Sequence, residues 1–269
     1  MLEDDAFDAA VSTLRLELRR LVEDEPRLLR AIGDAGAFAI VVCAIGLAED
    51  GDGTFTFAQL QAIIVPRRWA SGRRVRSLID WLEWSGAALR HSTPRDGRER
   101  PWSLCGWLLP SISGLARAFV TATAPWRRKG NVQRPPEDVE SEIEGLVRAV
   151  GRCFVAEPLP VPAGAETRLF ASHAAGLLVL LDLVDQPRPV EAVPHSVRFS
   201  RKAASRIYGV SRAHVTAILA RAEDLQFLVR NGDDIVLTET LLCNVRRDLA
   251  RQLAFVVLAG RRASKADTV

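Results

Sequence analysis

Two stretches of the chain that lie 140 residues apart carry the same pattern, so any fold that accommodates one must accommodate the other. VRSLIDWLEWSGAAL at 75–89 aligns with VTAILARAEDLQFLV at 215–229. LCGWLLPSI at 104–112 aligns with LTETLLCNV at 237–245, now at an offset of 133, and the seven residues lost between the two blocks fall in the intervening loop. An apolar helical stretch precedes each block, FAIVVCAI at 38–45 and LLVLLDLV at 177–184. Self-similarity at a fixed spacing marks a repeated structural unit, here two diverged copies of about 130 residues each.

Each copy parses in the same order. An acidic amphipathic helix (5–23; 136–152) precedes an apolar helix (27–49; 166–185), two short helices, a β-hairpin and a closing helix (108–122; 241–259). The predicted fold class is therefore mainly α, two units forming a pseudo-dimer with small hairpins. TAPWRRKGNVQRPPED at 123–138 mixes Pro, Gly, Asn and basic residues as linkers do. The expected organisation is an N-terminal unit at 1–125, a basic linker at 126–135 and a C-terminal unit at 136–269, ending in a frayed basic tail.

A net charge of +3 conceals a strong alternation. Residues 1–50 hold five cations against eleven anions (−6), 51–134 fourteen against five (+9), 135–196 four against ten (−6) and 197–269 thirteen against seven (+6). Only Lys129, Lys202 and Lys265 are lysines; arginine's planar fork of donors suits phosphates and guanine edges, although a GC-rich genome produces the same bias. The 48% apolar content is ample for real cores. MLEDDAFDAA does not resemble a secretory leader, and the apolar run at 35–48 is too short to span a bilayer. A soluble, cytoplasmic, nucleoid-associated protein without a membrane partner is expected.

Catalytic constellations are missing. GxSxG, HExxH, GxxxxGK[ST] and GxGxxG do not occur, so neither an enzyme nor a cofactor is expected. Cys43, Cys105, Cys153 and Cys243 are far apart and form no CxxC pair, which argues against metal ligation and disulfides and for buried, inert thiols. Of the four histidines, His91 and His214 lie in the basic segments, His173 reads as a buried or capping residue and His195 as an exposed loop residue. Asp182, a carboxylate within LLVLLDLV, marks the exposed edge of its helix or, less favoured, pairs with an arginine of the other unit. Trp81, Trp84, Trp102 and Trp107 read as packing residues, and Tyr208 equally as turn packing or a phosphate contact.

The chemistry concentrates in SRKAASRIYGVSRAHVTAILAR, residues 200–221. Ser200 caps one helix, Gly209 tolerates positive φ at a turn and Ser211 caps the next helix. Val210, Val215, Ile218 and Leu219 face Ala203, Ala204 and Ile207, which leaves Arg212, Ala213, His214 and Thr216 outward near the N-terminus of the second helix and Arg201, Lys202 and Arg206 on the flanking one. FLVRNGDDIVL then reads as a hairpin turning at Asn231-Gly232, with Arg230 beside the tip. Over about 40 residues this stretch resembles winged helix-turn-helix DNA-binding regulators, through the spacing of Ala203-Ala204, Gly209, Val215 and Ile218. The resemblance implies that the second helix enters a major groove and that the hairpin is the wing.

The first copy departs from that pattern. IIVPRRWASGRR at 63–74 lacks the turn glycine and carries Pro66, Arg67, Arg68 and Trp69 instead. Ser71 would cap a helix presenting Arg73, Arg74, Arg76 and Ser77, with Val75, Leu78, Ile79 and Leu82 inward. Its hairpin turns near Asp96-Gly97 and carries Arg90, His91, Arg95, Arg98 and Arg100, a composition suited to probing a minor groove or a backbone. The expectation is a transcriptional regulator that binds double-stranded DNA sequence-specifically and reads two unlike half-sites. Arg73, Arg74 and Arg76 would choose bases in one, and Arg212, His214 and Thr216 in the other. A second copy, RNA polymerase or another regulator are further partners to test. The rivals are a plasmid-type replication initiator bound to origin repeats and a non-catalytic protein-interaction scaffold, against which the +9 and +6 segments weigh.

Overall fold

A computed structural model describes residues 4–92, 100–127, 136–156, 164–185, 195–231 and 234–266. The described chain is mainly helical, with small antiparallel sheets of two and three strands. The first half runs α1 (Asp4–Asp24), α2 (Leu28–Ile32), α3 (Ala35–Asp50), α4 (Phe57–Ile64), α5 (Gly72–Trp84), β1 (Ala88–Arg90), β2 (Trp102–Leu104), α6 (Leu108–Ala122) and α7 (Ala124–Arg127). The second runs α8 (Pro136–Ala156), α9 (Ala165–Ala171), α10 (Gly176–Val184), β3 (Ser196–Arg198), α11 (Arg201–Ile207), α12 (Arg212–Asp224), β4 (Leu228–Asn231), β5 (Asp234–Leu237) and α13 (Glu239–Ala266). Residues 126 and 127 of the expected linker belong to α7, and the rest of it lies outside the described residues, as do Asp96-Gly97 and Gly232. No described helix is long and apolar enough to cross a membrane.

The repeat extends to single hydrogen bonds. Ala87 N donates to Leu82 O (2.8 Å) and Gly86 N to Glu83 O (3.2 Å) at the end of α5; Phe227 N donates to Ala222 O (2.9 Å) and Gln226 N to Glu223 O (2.8 Å) at the end of α12. Both closures turn through a left-handed residue, Gly86 at φ 76° and Gln226 at φ 58°, which is how a helix satisfies its last carbonyls and reverses. The next link also recurs, Cys105 N to Ala87 O (3.0 Å) and Thr238 N to Phe227 O (3.1 Å).

Two features differ from the expected parse. The hairpin of each copy gains a partner before the helix pair: in the second copy the strand β3 joins the edge of β5 in the order β3-β5-β4, and in the first a single bridge forms, Phe55 pairing with Trp102 through bonds of 2.9 and 2.8 Å. The alternation in TFTF (54–57) and SVRF (196–199) is the signal for it. Each apolar helix is also broken near its start, into α2 and α3 and into α9 and α10. A Cβ at Gly33 would lie 2.1 Å from Leu29 O, and Asp34 then caps α3 by accepting from Gly36 N (3.0 Å) and Ala37 N (3.1 Å). The two breaks touch, since Ala175 N donates to Gly33 O at 3.0 Å.

The leading helices are exchanged between the halves. Phe7, Ala10, Val11 and Leu14 of α1 are buried in one core with Leu178, Leu181, Val215 and Leu241 of the second half. Val147 and Phe154 of α8 pack into the core that holds Ile40, Val75, Ile79 and Trp102 of the first half. α3 and α8 cross where both lack a side chain, at Gly46 and Gly151: a Cβ on Gly46 would sit 2.3 Å from Gly151 O. Arg246 of α13 pairs with Asp8 of α1 (2.6 Å), and Arg117 of α6 with Glu140 of α8 (2.5 Å), so the acidic helices hold the halves together.

Asp182 takes the less favoured of its two sequence readings. It pairs with Arg15 of α1 at 3.3 Å and accepts the Tyr208 hydroxyl at 2.6 Å. Asp185 accepts from both Arg15 and Ser12. An apolar helix tolerates these carboxylates because each charge is paired where it enters the contact between the halves. Tyr208 is thus a packing residue, 2% exposed, and burial followed by its bond to Asp182 raises its phenol pKa. Trp81, Trp102 and Trp107 pack as expected, but Trp84 is 82% exposed, because it falls on the outward face of α5. Among the cysteines Cys43 is buried and Cys243 exposed. Burial pushes the Cys43 thiol up to about 12, against a smaller opposing influence of Arg67. His195 is half-buried rather than exposed, at φ 68°. The C-terminal tail continues α13 to Ala266.

Candidate nucleic-acid interface

In each half two short helices follow one another, α4 and α5 across residues 65–71 and α11 and α12 across residues 208–211, and the second begins with a serine cap. Ser211 accepts from His214 N at 3.0 Å, and Ser71 from Arg74 N at 3.2 Å. Val215, Ile218, Leu219 and Ala222 bury one face of α12; Val75, Leu78, Ile79 and Leu82 bury the equivalent face of α5. The turn in the second half uses Gly209 at φ 60°, and the connection in the first half also passes through a left-handed residue, Arg68 at φ 56°. The first connection, residues 65–71, is longer than the second, residues 208–211, and places its left-handed residue one position further from the serine cap, at a conformational cost of roughly 1–2 kcal/mol for a residue with a Cβ.

The predicted cations divide into engaged and open groups. Arg67 turns to the protein, donating to Phe154 O and, at 3.0 Å, to Val155 O at the C-terminus of α8, where a cation meets unsatisfied carbonyls. Arg76 is half-buried against the Phe57 ring (3.7 Å), and Arg90 lies over Trp102 (5.0 Å). Arg230 donates to Glu223 through its side chain (2.7 Å) and its backbone (2.9 Å), bonds that lower the Glu223 pKa. Arg201 is half-buried and has a contact of its own.

The third helical positions are the main departure. Arg74 pairs with Asp34, and His214 Nε2 bonds to Ala174 O at 3.0 Å with its ring 6.0 Å from that of His173. Both side chains were expected to read bases. Both tie the start of the second helix to the break before α3 or α10, contacts that position that helix. The reason is geometric, since the third helical residue sits beside the buried stripe rather than opposite it.

Arg68, Arg73, Arg100, Lys202, Arg206 and Arg212 are exposed and have no partner among the described residues. Ser77 and Asn231 are exposed and Thr216 half-buried; Arg95 and Arg98 lie outside the described residues. On the hairpin His91 faces Ser103 Oγ at 3.0 Å. Among the described residues no group of His, Cys, Asp and Glu could hold a metal ion. Sequence reasoning missed Asp80 and Arg221, which the 3.6-residue period would have placed on or beside the outward faces of α5 and α12. Comparison with protein families, curated proteins and solved structures finds no match to this chain.

Proposed function

We propose that the protein is a sequence-specific regulator of transcription that binds double-stranded DNA through two winged helix-turn-helix units, held in one chain as a pseudo-dimer. The observation that carries this reading is the duplicated framework of serine cap, left-handed helix closure and following hairpin. Each copy leaves a helix with one face buried and one arginine open in its first turn, Arg73 in α5 and Arg212 in α12. A helix of that kind, followed at once by a hairpin, suits a major groove, with the hairpin over the adjacent backbone. The units differ in sequence, so the site would hold two unlike half-sites. A second copy, RNA polymerase or another regulator would be partners.

Binding would be electrostatic in origin. If all six open cations neutralise phosphates, log K falls by about 5 for each tenfold rise in salt. Fluorescence anisotropy with a labelled duplex over 50–300 mM salt tests the slope, and genome-wide mapping of bound DNA separates promoters from the repeats of a replication origin. Absence of salt-sensitive duplex binding would remove the reading. The protein-interaction scaffold would then stand, favoured by Trp84 and Leu89, which are 82% and 56% exposed.

A further inference from the structure

We propose that the two second helices do unequal work on one DNA site: α5 discriminates bases, through Arg73 and Asp80 with Ser77 between them, whereas α12 holds the sugar-phosphate backbone. This rests on the duplex-binding reading above and assigns a separate role to each half of it. In α5 the residues opposite the buried stripe are Arg73, Ser77, Asp80 and Trp84, all exposed. The equivalent positions of α12 are Ala213, Ala217, Ala220 and Asp224.

The chemistry of the two faces differs in kind. A guanidinium donates to guanine O6 and N7, a carboxylate accepts from the cytosine amino group, and a hydroxyl does either. Three alanines present only methyl groups. The cations of α12 stand at the sides of its outward face, Arg212 at about 100° and Arg221 at about 80° from Ala213 at 100° per residue, where a helix seated in a groove meets the phosphates of the two strands. His214 and Arg74 are tied back to protein and compete for neither role. Asp80 sharpens the contrast. An exposed carboxylate with no partner among the described residues is repelled by a polyanion, and the contact is favourable only where it accepts from a base. It therefore excludes most sequences from beneath α5.

The test is selection of the full chain against a random duplex library, followed by anisotropy on the enriched site, on its single base-pair substitutions and on a scrambled duplex. The expected result is that base preference concentrates in one half of the site. Arg73→Ala should lose about 5–150-fold of discrimination at one or two base pairs, a larger loss on the enriched site than on the scrambled duplex, and Asp80→Asn should relax selection at a single pair. Arg212→Ala should weaken enriched and scrambled duplexes alike and reduce the salt slope by about 1. These side chains are exposed, and circular dichroism checks that each variant is folded. Salt-sensitive binding with preference spread evenly over both halves, or lost in Arg212→Ala rather than Arg73→Ala, overturns the division and leaves duplex binding standing. No duplex binding by the unaltered chain overturns both.

Discussion

Replacing Gly46 with alanine tests the crossing of α3 and α8. The added Cβ would lie 2.3 Å from Gly151 O, 2.5 Å from Gly151 C and 2.8 Å from Val155 Cγ2, where ordinary contact begins at 3.4 Å. The two closest atoms are backbone, so relief requires the helices to move apart by about 1 Å, a disturbance of a packed core that costs roughly 1–3 kcal/mol. Alanine also gains about 1 kcal/mol of helix propensity over glycine, and an internal control removes that contribution. Gly114→Ala in α6 gains the same propensity but meets only the end of the Leu21 side chain, at 2.8 Å, which can rotate. Urea unfolding followed by circular dichroism should place Gly46→Ala about 1–3 kcal/mol below Gly114→Ala. Fluorescence adds a local report, since Trp69 lies 5.4 Å from Phe154 of α8 and should sense the separation. Equal stability of the two variants would refute a close glycine crossing between the halves.

Arg67→Ala should cost about 1–3 kcal/mol in chemical denaturation by leaving the last carbonyls of α8 unpaired, while the salt slope of DNA binding stays that of the parent protein. Gly209→Ala meets nothing within 4 Å, so thermal unfolding should register only the left-handed backbone cost of about 1–2 kcal/mol. Cys43 supplies a pH dependence: the unfolded thiol ionises near 9 and the folded one at about 12. Between those values the native state holds a proton that the unfolded chain has lost, so stability falls as pH rises, by about 1.4 kcal/mol per pH unit. Denaturant midpoints measured from pH 8 to 11 should fall less steeply in Cys43→Ala. A slope identical to that of the parent would mean that the thiol is not protected by burial.

The duplication and the serine caps were legible in the sequence because they depend on local pattern: apolar period, capping hydroxyls and the residues that close a helix. Arg67, Arg74 and His214 were not legible as protein-facing, because Phe154, Asp34 and Ala174 reach them only when the chain is folded. A sequence gives the side of a helix on which a residue lies. It does not give what stands beside that helix, and three of the expected DNA-binding side chains have protein partners for that reason. Asp182 illustrates the same limit, since its partner Arg15 is 167 residues away on an exchanged helix. The breaks at Gly33 and Ala175 had a local signal, IGDAG at 32–36 and ASHAAG at 171–176, where glycine and capping residues interrupt the apolar run that was read as one helix in each half.

The exchange of α1 and α8 sets an order of events during synthesis. α1 leaves the ribosome first, but its seat against α10 is not translated until residues 176–184. α6 can cover part of α1 once residue 122 is made, but at 5–20 residues per second the side of α1 that meets α10 waits for about 8–30 s. α8, by contrast, emerges after α3 is already complete and can settle at once. A nascent chain stalled before residue 176 would therefore expose Phe7, Val11 and Leu14, and it is at that length that chaperone capture should peak.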